Sequence, residues 1–179
     1  MSQPDPFVEA FNRPEQLRDF YDSPMERADV SPRGGQPGFV TVLDDKHLAV
    51  PDATGNRRLD TLENIVSSGR ATLIFVIPGR DTTLRVGGRA AVTAAPDVLD
   101  RLTPVGRPPK TAIVIEAEEV YTHCPKAFVR SKLWDPGTWP EPSTLPTSAE
   151  VSLAHQRDPD LTLQQVEERE HDALANRLA

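Results

Sequence analysis

Residues 71–92 read ATLIFVIPGRDTTLRVGGRAAV, and this stretch decides the fold. Ala71 to Ile77 is a continuous apolar run, which is typical of a strand covered on both faces. Pro78-Gly79-Arg80-Asp81 has the composition of a turn. The residues after the turn alternate between apolar and polar or small side chains, as in a strand with one buried face. The apolar set is Leu84, Val86, Gly88, Ala90 and Val92.

The flanking sequence continues this pattern. A hairpin is predicted from Phe39 to Val50, and another strand from Thr111 to Tyr121. Between them, an apolar helix side ends before Gly69, where a C-terminal cap is expected. Further helices are predicted over residues 12–21, 96–102 and 124–133, and from the capping-box pair Thr162 and Gln165 to about residue 178. About five antiparallel strands with several helices predict a mainly β fold, a small barrel with peripheral helices.

Length and composition restrict the class of protein. A chain of 179 residues fits one domain with short extensions. No apolar run approaches the roughly 20 residues of a membrane span, and the first residues lack the pattern of a signal peptide. We therefore expect a cytoplasmic protein with no membrane partner. The single cysteine, Cys124, excludes an internal disulfide and a multi-cysteine metal site.

The net charge of −7 is concentrated at the two ends. Residues 1–28 carry three basic and six acidic side chains, and residues 150–179 carry three basic and seven acidic ones. The middle of the chain is neutral. Because neutralisation of phosphates dominates nucleic-acid affinity, an acidic chain without a basic stripe predicts no nucleic-acid partner.

Standard catalytic signatures are absent from the sequence. It contains no P-loop, no dinucleotide-binding glycine motif after a strand and no nucleophile elbow. The four histidines lack the paired spacing of a zinc site, so no metal ligand is assigned and each histidine is interpreted as a surface or packing residue. No residue stands out as a general base.

The arginines are more informative. Asn56, Arg57 and Arg58 directly precede a helix that starts near Asp60 and Thr61. A helix N-terminus offers unpaired N–H groups to a phosphate, and arginine adds a permanently charged, bidentate clamp. Spacing alone leaves the alternative open that this pair is solvated surface.

Two further clusters carry positive charge. If Val86, Gly88 and Ala90 face inward, then Arg85, Gly87 and Arg89 face the other way; glycine in a strand often marks the close approach of a ligand. The alternative is an arginine ladder paired with carboxylates. Lys126 and Arg130 share one face of the predicted helix before Trp134, which either stacks on a flat heterocycle or anchors the connector.

Read together, these segments resemble a bacterial branch of the pyridoxamine 5′-phosphate oxidase-related family. The resemblance covers about residues 29–140, with order and spacing kept. The segments that carry it are Pro37–Val40, Leu43–Asp45, Pro51-Asp52, Gly55–Ile65, Pro78–Arg80, Thr83–Ala90, Gly106–Pro109, His123–Ala127 and Arg130–Pro136.

The resemblance implies a split barrel that binds FMN, in a homodimer with two flavins at the interface. It implies that Asn56, Arg57, Arg58 and Thr61 hold the phosphate and that Arg85 and Arg89 lie near the flavin. The resemblance also implies that the second subunit closes the site, with Lys126, Arg130, Ser131 and Trp134. The implied chemistry is hydride acceptance by the flavin and its reoxidation, with an unknown small organic substrate.

One departure from the family pattern lies near the N-terminus. Relatives continue their opening helix into another helix and a hydrophobic strand, whereas here Ala28 runs straight into Asp29. We therefore expect a barrel that lacks one strand, with an open edge that a helix or the dimer partner covers. The C-terminal helix is the candidate for that cover. The expected organisation is an N-terminal helical segment (1–28), the split-barrel domain (29–140), and a proline-rich connector with a terminal helix (141–179).

Three functions remain open at this point. The leading one is an FMN-dependent oxidoreductase. The second is a non-catalytic flavin-binding or cofactor-free dimer, and the third is an interaction protein whose acidic terminal helix docks a partner. Similar barrels also bind a deazaflavin or haem, in which case His47 or His123 is the residue to inspect.

Overall fold

A computed structural model describes residues 10–11, 30–53 and 59–176, and of residues 10–11 only the backbone. The strands are β1 (Ala10–Phe11), β2 (Thr41–Val42), β3 (His47–Pro51), β4 (Arg70–Phe75), β5 (Thr83–Thr93) and β6 (Ala112–His123). The helices are α1 (Asp60–Ser68), α2 (Pro96–Leu99), α3 (Lys126–Ser131), α4 (Ser148–Gln156) and α5 (Leu163–Asn176). Two 3₁₀ turns, Pro136–Thr138 and Pro142–Thr144, lie between α3 and α4.

All strand pairs in the described sheet are antiparallel. The order is β1-β5-β6-β3-β2, and β4 pairs with β5 beside β1. The long strands β5 and β6 therefore form the centre, with Thr83 opposite His123 at one end and Thr93 opposite Ala112 at the other. The described sheet does not close on itself. The fold is thus mainly β with peripheral helices, as the sequence predicts.

A β-bulge interrupts the central pair between Gly87 and Gly88, where Glu118 is the extra residue on β6. A Cβ atom at Gly88 would overlap the carbonyl oxygen of Glu116 and lie 2.9 Å from the Glu118 nitrogen. Only glycine fits there, because the two backbones approach too closely for any side chain.

The sheet buries side chains on both faces. One core packs α1 on the sheet and contains Val50, Leu59, Leu62, Ile65, Ala90, Val92, Ile113 and Ile115. The other packs α2 on the opposite face and contains Leu43, Ala49, Ala95, Val98, Leu102, Ala112 and Val114. Both cores are centred at the end of β5 near Val92, and Ala71 and Leu73 of β4 also pack against the first one. On the other side of the sheet, the end that carries Arg85 and Arg89 is left uncovered by either core.

Helix α1 is followed at once by β4. Gly69 has a left-handed backbone with φ of 67°, and its N–H donates to the Ile65 carbonyl at 2.7 Å. This is the C-terminal cap that the sequence predicts, and it turns the chain within one residue. As a result Arg70 starts β4 directly opposite Arg89 of β5.

The C-terminal part forms a helical hairpin. Helix α5 starts with the predicted box, in which the Gln165 N–H donates to Thr162 Oγ1 at 3.3 Å and the Thr162 N–H donates to Gln165 Oε1 at 2.9 Å. Helix α5 packs against α4, not along a strand edge of the described sheet. The prediction that the terminal helix covers the open edge is therefore wrong.

Two other sequence predictions need correction. β4 is covered on one face only, because its residues alternate between exposed and half-buried. Ala71 and Leu73 pack against the first core, whereas the other side of the strand is exposed. Helix α4 is missing from the prediction, although Thr147 and Glu150 form a capping box. The helix predicted over residues 12–21 lies outside the described residues. None of the described helices has the length and apolar character that crossing a membrane requires.

Candidate functional site

The uncovered end of the sheet presents one face of three strands. Residues opposite each other in an antiparallel pair point to the same side. The register therefore gives three rows across β4, β5 and β6. We name this surface the arginine face, with the rows Arg70–Arg89–Glu116, Thr72–Gly87–Glu119 and Ile74–Arg85–Tyr121.

A shallow depression of about 330 Å³ lies in the middle row. Its floor is Gly87 and Gly88, and its rim includes Arg70, Thr72 and Glu119. A Cβ atom at Gly87 would lie 3.0 Å from Thr72 Oγ1, so the missing side chain is what leaves the space. The depression lies between the rows of Arg89 and Arg85.

The three arginines of this face have different partners. Arg89 Nε donates to Glu116 Oε2 at 2.6 Å, and Arg70 donates to Glu118. Arg85 has a buried Nε without a hydrogen-bond partner among the described residues. A buried guanidinium N–H without an acceptor lowers the stability of the folded state, and an oxygen atom of a ligand would supply the missing acceptor.

The start of α1 is the other half of the predicted site. Asn56, Arg57 and Arg58 lie outside the described residues, while Thr61 is in the first turn. The same turn carries two buried carboxylates, Asp60 and Glu63. Acidic side chains there stabilise the positive end of the helix dipole, as a phosphate would.

The two halves do not share a face in one chain. Helix α1 packs on the side of Ala90 and Val92, whereas Arg85 and Arg89 point to the other side. A single copy therefore does not bring Thr61 and the arginine face together.

The third predicted cluster follows β6. Lys126 and Arg130 are exposed and have no ion-pair partner among the described residues. Ser131 Oγ donates to the Phe128 carbonyl at 3.1 Å. Trp134 Nε1 donates to the Arg80 carbonyl at 2.9 Å, and its ring meets Phe128 edge-on at 6.2 Å. Trp134 thus anchors α3 to the β4–β5 turn, which is one of the two interpretations that the sequence leaves open.

His47 is the first residue of β3, directly after the β2–β3 turn. Its Nδ1 lies 2.9 Å from both carboxylate oxygens of Asp44. The hydrogen bond from the Lys46 N–H is the main cause that lowers the pKa of Asp44, and the contacts with His47 lower it further. His123 is exposed, and its ring centroid lies 6.3 Å from that of Tyr121. Among the described residues, no three His, Cys, Asp or Glu side chains are grouped as metal ligands.

Sequence reasoning missed Arg70, Thr72 and Glu119, which line the depression. They lie on different strands, and only the strand register brings them together. The alternation in β5 was the only signal: it placed Arg85, Gly87 and Arg89 on one side.

Comparison with known proteins gives a family match and weak structural likenesses. The model of the family described as "Pyridoxamine 5'-phosphate oxidase" matches residues 26–124, more than half of the chain. A crystal structure of HupZ from Group A Streptococcus is 21% identical and covers 47% of this chain and 68% of its own, with a TM-score of 0.38. A histidine-to-alanine variant of the same streptococcal protein is 19% identical and covers 48% and 73%, with a TM-score of 0.36. No curated protein matches the chain.

Proposed function

This chain belongs to the pyridoxamine 5′-phosphate oxidase family, and from that premise we propose that it is a flavoprotein that binds FMN at a homodimer interface. We further propose that it is an oxidoreductase acting on a small organic molecule. The flavin-binding module corresponds to residues 29–140, with 1–28 and 141–179 as appended segments. Family membership supports a flavin-binding split barrel; FMN, turnover and the dimer are the proposal.

The observation that carries the proposal is the buried Nε of Arg85, which has no hydrogen-bond partner among the described residues. Arg85 is two residues along β5 from Gly87, which lines the depression, on a face that neither core covers. Flat floors of backbone let a planar ring approach closely, and a fixed arginine suits carbonyl or phosphate oxygens. These residues fit a flavin.

The placement of α1 supports a site made by two copies. In the proposal, one copy holds the phosphate with Asn56, Arg57, Arg58 and Thr61. Arg85 of the second copy donates to polar oxygens of the cofactor. Arg89 lies beside the cofactor, oriented by Glu116. From the second copy, Lys126, Arg130, Ser131 and Trp134 close the site. Bound FMN would accept hydride, while these residues bind, orient and exclude water.

An apolar surface supports the dimer. Five large side chains are exposed at the uncovered end of the sheet, and we name them the apolar belt. They are Ile74 (51%), Val76 (49%), Ile77 (49%), Val120 (60%) and Tyr121 (45%). Ile74 and Tyr121 point to the side of the arginine face and Val120 to the other side, so the belt includes both faces of this end of the sheet. Exposed apolar side chains mark interaction sites, and the proposed occupant of this one is a second copy.

The test is a visible absorption spectrum of the purified protein followed by a titration with FMN. We expect a flavin spectrum that is lost in the Arg57→Ala/Arg58→Ala double variant. The control removes two other cations, Arg107→Ala/Lys110→Ala, and should bind FMN normally. A protein that stays colourless and does not bind FMN would overturn the proposal. A deazaflavin or haem spectrum would show that the cofactor is that group and not FMN.

A second candidate is flavin binding without turnover. It is favoured by the ion pairs of the arginine face, since Glu116 and Glu118 are already engaged by Arg89 and Arg70. The two candidates differ in one measurement, the reduction of bound flavin by NADH or NADPH and its reoxidation. Catalytic cycling supports the oxidoreductase, and a flavin that is not reduced supports the binding module.

A further inference from the structure

The hairpin of α4 and α5 is a well-formed unit. Ala149 and Val166 are buried, and Ser148 and Ser152 of α4 donate to Glu170 of α5 at 2.5 and 3.1 Å. Each helix has the other as its main packing partner. The hairpin therefore has its own small core and leaves its outer surface for another contact.

The outer side of α5 combines acid and apolar groups. Glu167, His171 and Leu174 follow the i, i+4, i+7 spacing of one helix face, and Leu174 is 64% exposed. An exposed leucine near the end of a helix gains free energy when it is covered.

The exposed side of α3 has the complementary character. Val129 is 55% exposed and lies beside Lys126 and Arg130 at i, i+3 and i+4 spacing. Leu133, which is 37% exposed, follows just after the end of the helix. Phe128, on the opposite side of the same helix, makes the contact with Trp134. This segment therefore exposes one apolar side chain between two cations on the helix and a second one just after it.

The two segments carry opposite charge. Residues 124–134 contain three basic and no acidic side chains, whereas residues 148–176 contain seven acidic and two basic ones. Charges of opposite sign on two exposed segments favour their contact and fix its orientation.

Residues 135–145 connect these two segments. Trp139 Nε1 donates to the Leu133 carbonyl at 3.1 Å, and Thr138 Oγ1 donates to the Asp135 carbonyl at 2.9 Å. Thr144 Oγ1 donates to the Glu141 carbonyl at 2.7 Å. These local bonds fold residues 135–145 into an ordered spacer, and α5 packs on α4 instead of on α3.

We infer that α5 of one copy packs on α3 of a second copy, with Leu174 against Val129 and Leu133. The acidic hairpin then lies against the basic α3 of its partner, and we name this contact the clasp. Lys126 and Arg130, which the proposed function places at the flavin site, lie at the edge of the clasp and take part in both. This inference rests on the homodimer of the proposed function and goes beyond it, because it gives the C-terminal hairpin an intermolecular role.

The experiment uses two full-length variants, Val129→Glu and Leu174→Lys. Both positions are exposed, so neither change should prevent folding. Each variant alone should weaken the dimer roughly tenfold or more, because a charge replaces an apolar contact at the interface. Sedimentation gives the dissociation constants, and Val30→Glu, at an exposed position outside all elements, is the control.

Mixing the two variants tests whether the contact is between copies. A mixed dimer has one native interface and one in which the introduced glutamate meets the introduced lysine. Native mass spectrometry should therefore find more mixed dimer than the statistical share. A statistical mixture, or variants that dimerise like the wild type, would overturn the inference.

A flavin titration of the same samples separates this inference from the proposed function. A mixed-dimer preference in a protein that binds no flavin supports the clasp and refutes the FMN site. Flavin binding with statistical mixing does the reverse. A wild-type chain that stays monomeric refutes both.

Discussion

Arg85 and Arg89 point to the same side of β5, four residues apart, but meet different neighbours. Arg89 is opposite Glu116 on β6 and forms an ion pair with it, whereas Arg85 is opposite Tyr121. The alternation of the sequence predicts the common side. It does not distinguish the two residues, because the partner of each arginine depends on a bulge that shifts the register of β6.

We expect Arg85→Ala to lower FMN affinity more than Arg89→Ala. Hydrogen bonds to a charged group contribute about 1.5–3 kcal/mol, which corresponds to roughly a 10- to 100-fold loss for Arg85. Arg89 is held by Glu116, so its removal should cost less than about tenfold. Quenching of flavin fluorescence measures both. Equal losses in the two variants would contradict this assignment, and Arg85→Lys should recover part of the affinity.

The adjacent glycines give a second residue-scale prediction. Gly88→Ala places a methyl group on the Glu116 backbone, which cannot move without breaking the bulge, so we expect a loss of at least about 2 kcal/mol in unfolding free energy. Gly87→Ala meets only the Thr72 side chain and should change stability by less than about 1 kcal/mol. Denaturant unfolding compares them. If Gly87→Ala folds well and binds FMN less tightly, the depression is part of the cofactor site.

At the scale of elements, sequence predicts local structure well where one or two residues carry the signal. The cap at Gly69 and the box at Thr162 are predicted from sequence and confirmed. Helix α4 is missed because the prolines before it dominate the interpretation of residues 135–146, although the Thr147–Glu150 box is present. The exposure of β4 is mispredicted because an apolar run does not show what will lie on its faces.

The β2–β3 turn gives a prediction on pH. The Lys46 N–H and then His47 lower the pKa of Asp44, so its ionised form contributes stability above the unfolded-state pKa of about 4. This contribution is lost as pH falls through the lowered pKa of the folded state. Asp44→Asn should therefore show a smaller drop in melting temperature than the wild type between about pH 5 and about pH 3, the range in which carboxylates titrate. The control is Asp45→Asn, at the next residue, which should behave like the wild type. If the melting temperature of Asp44→Asn falls as much as that of the wild type, the argument is contradicted.

At the scale of the whole molecule, the uncovered end of the sheet is the feature that sequence predicts least. Sequence patterns identify antiparallel strands and a barrel type, and the family match agrees with them. They do not show which parts of the sheet the two cores cover, because that depends on which helix packs on which face. The arginine face and the apolar belt both follow from this placement: the same end of the molecule supplies cofactor donors and an unpaired apolar surface.

This coincidence predicts that dimerisation and FMN binding are coupled. Val120→Glu adds a charge to the apolar belt, and we expect it to raise the dimer dissociation constant and to lower FMN affinity together. The matched control is Val42→Glu, a valine 74% exposed on β2 at the far edge of the sheet, which should change neither.

Saturating FMN should raise the melting temperature of the wild type, more strongly at higher protein concentration, because a ligand that binds only the folded dimer stabilises it by mass action. A monomeric Val120→Glu variant that binds FMN as tightly as the wild type would place the whole site within one copy. In that case the interface would serve assembly alone.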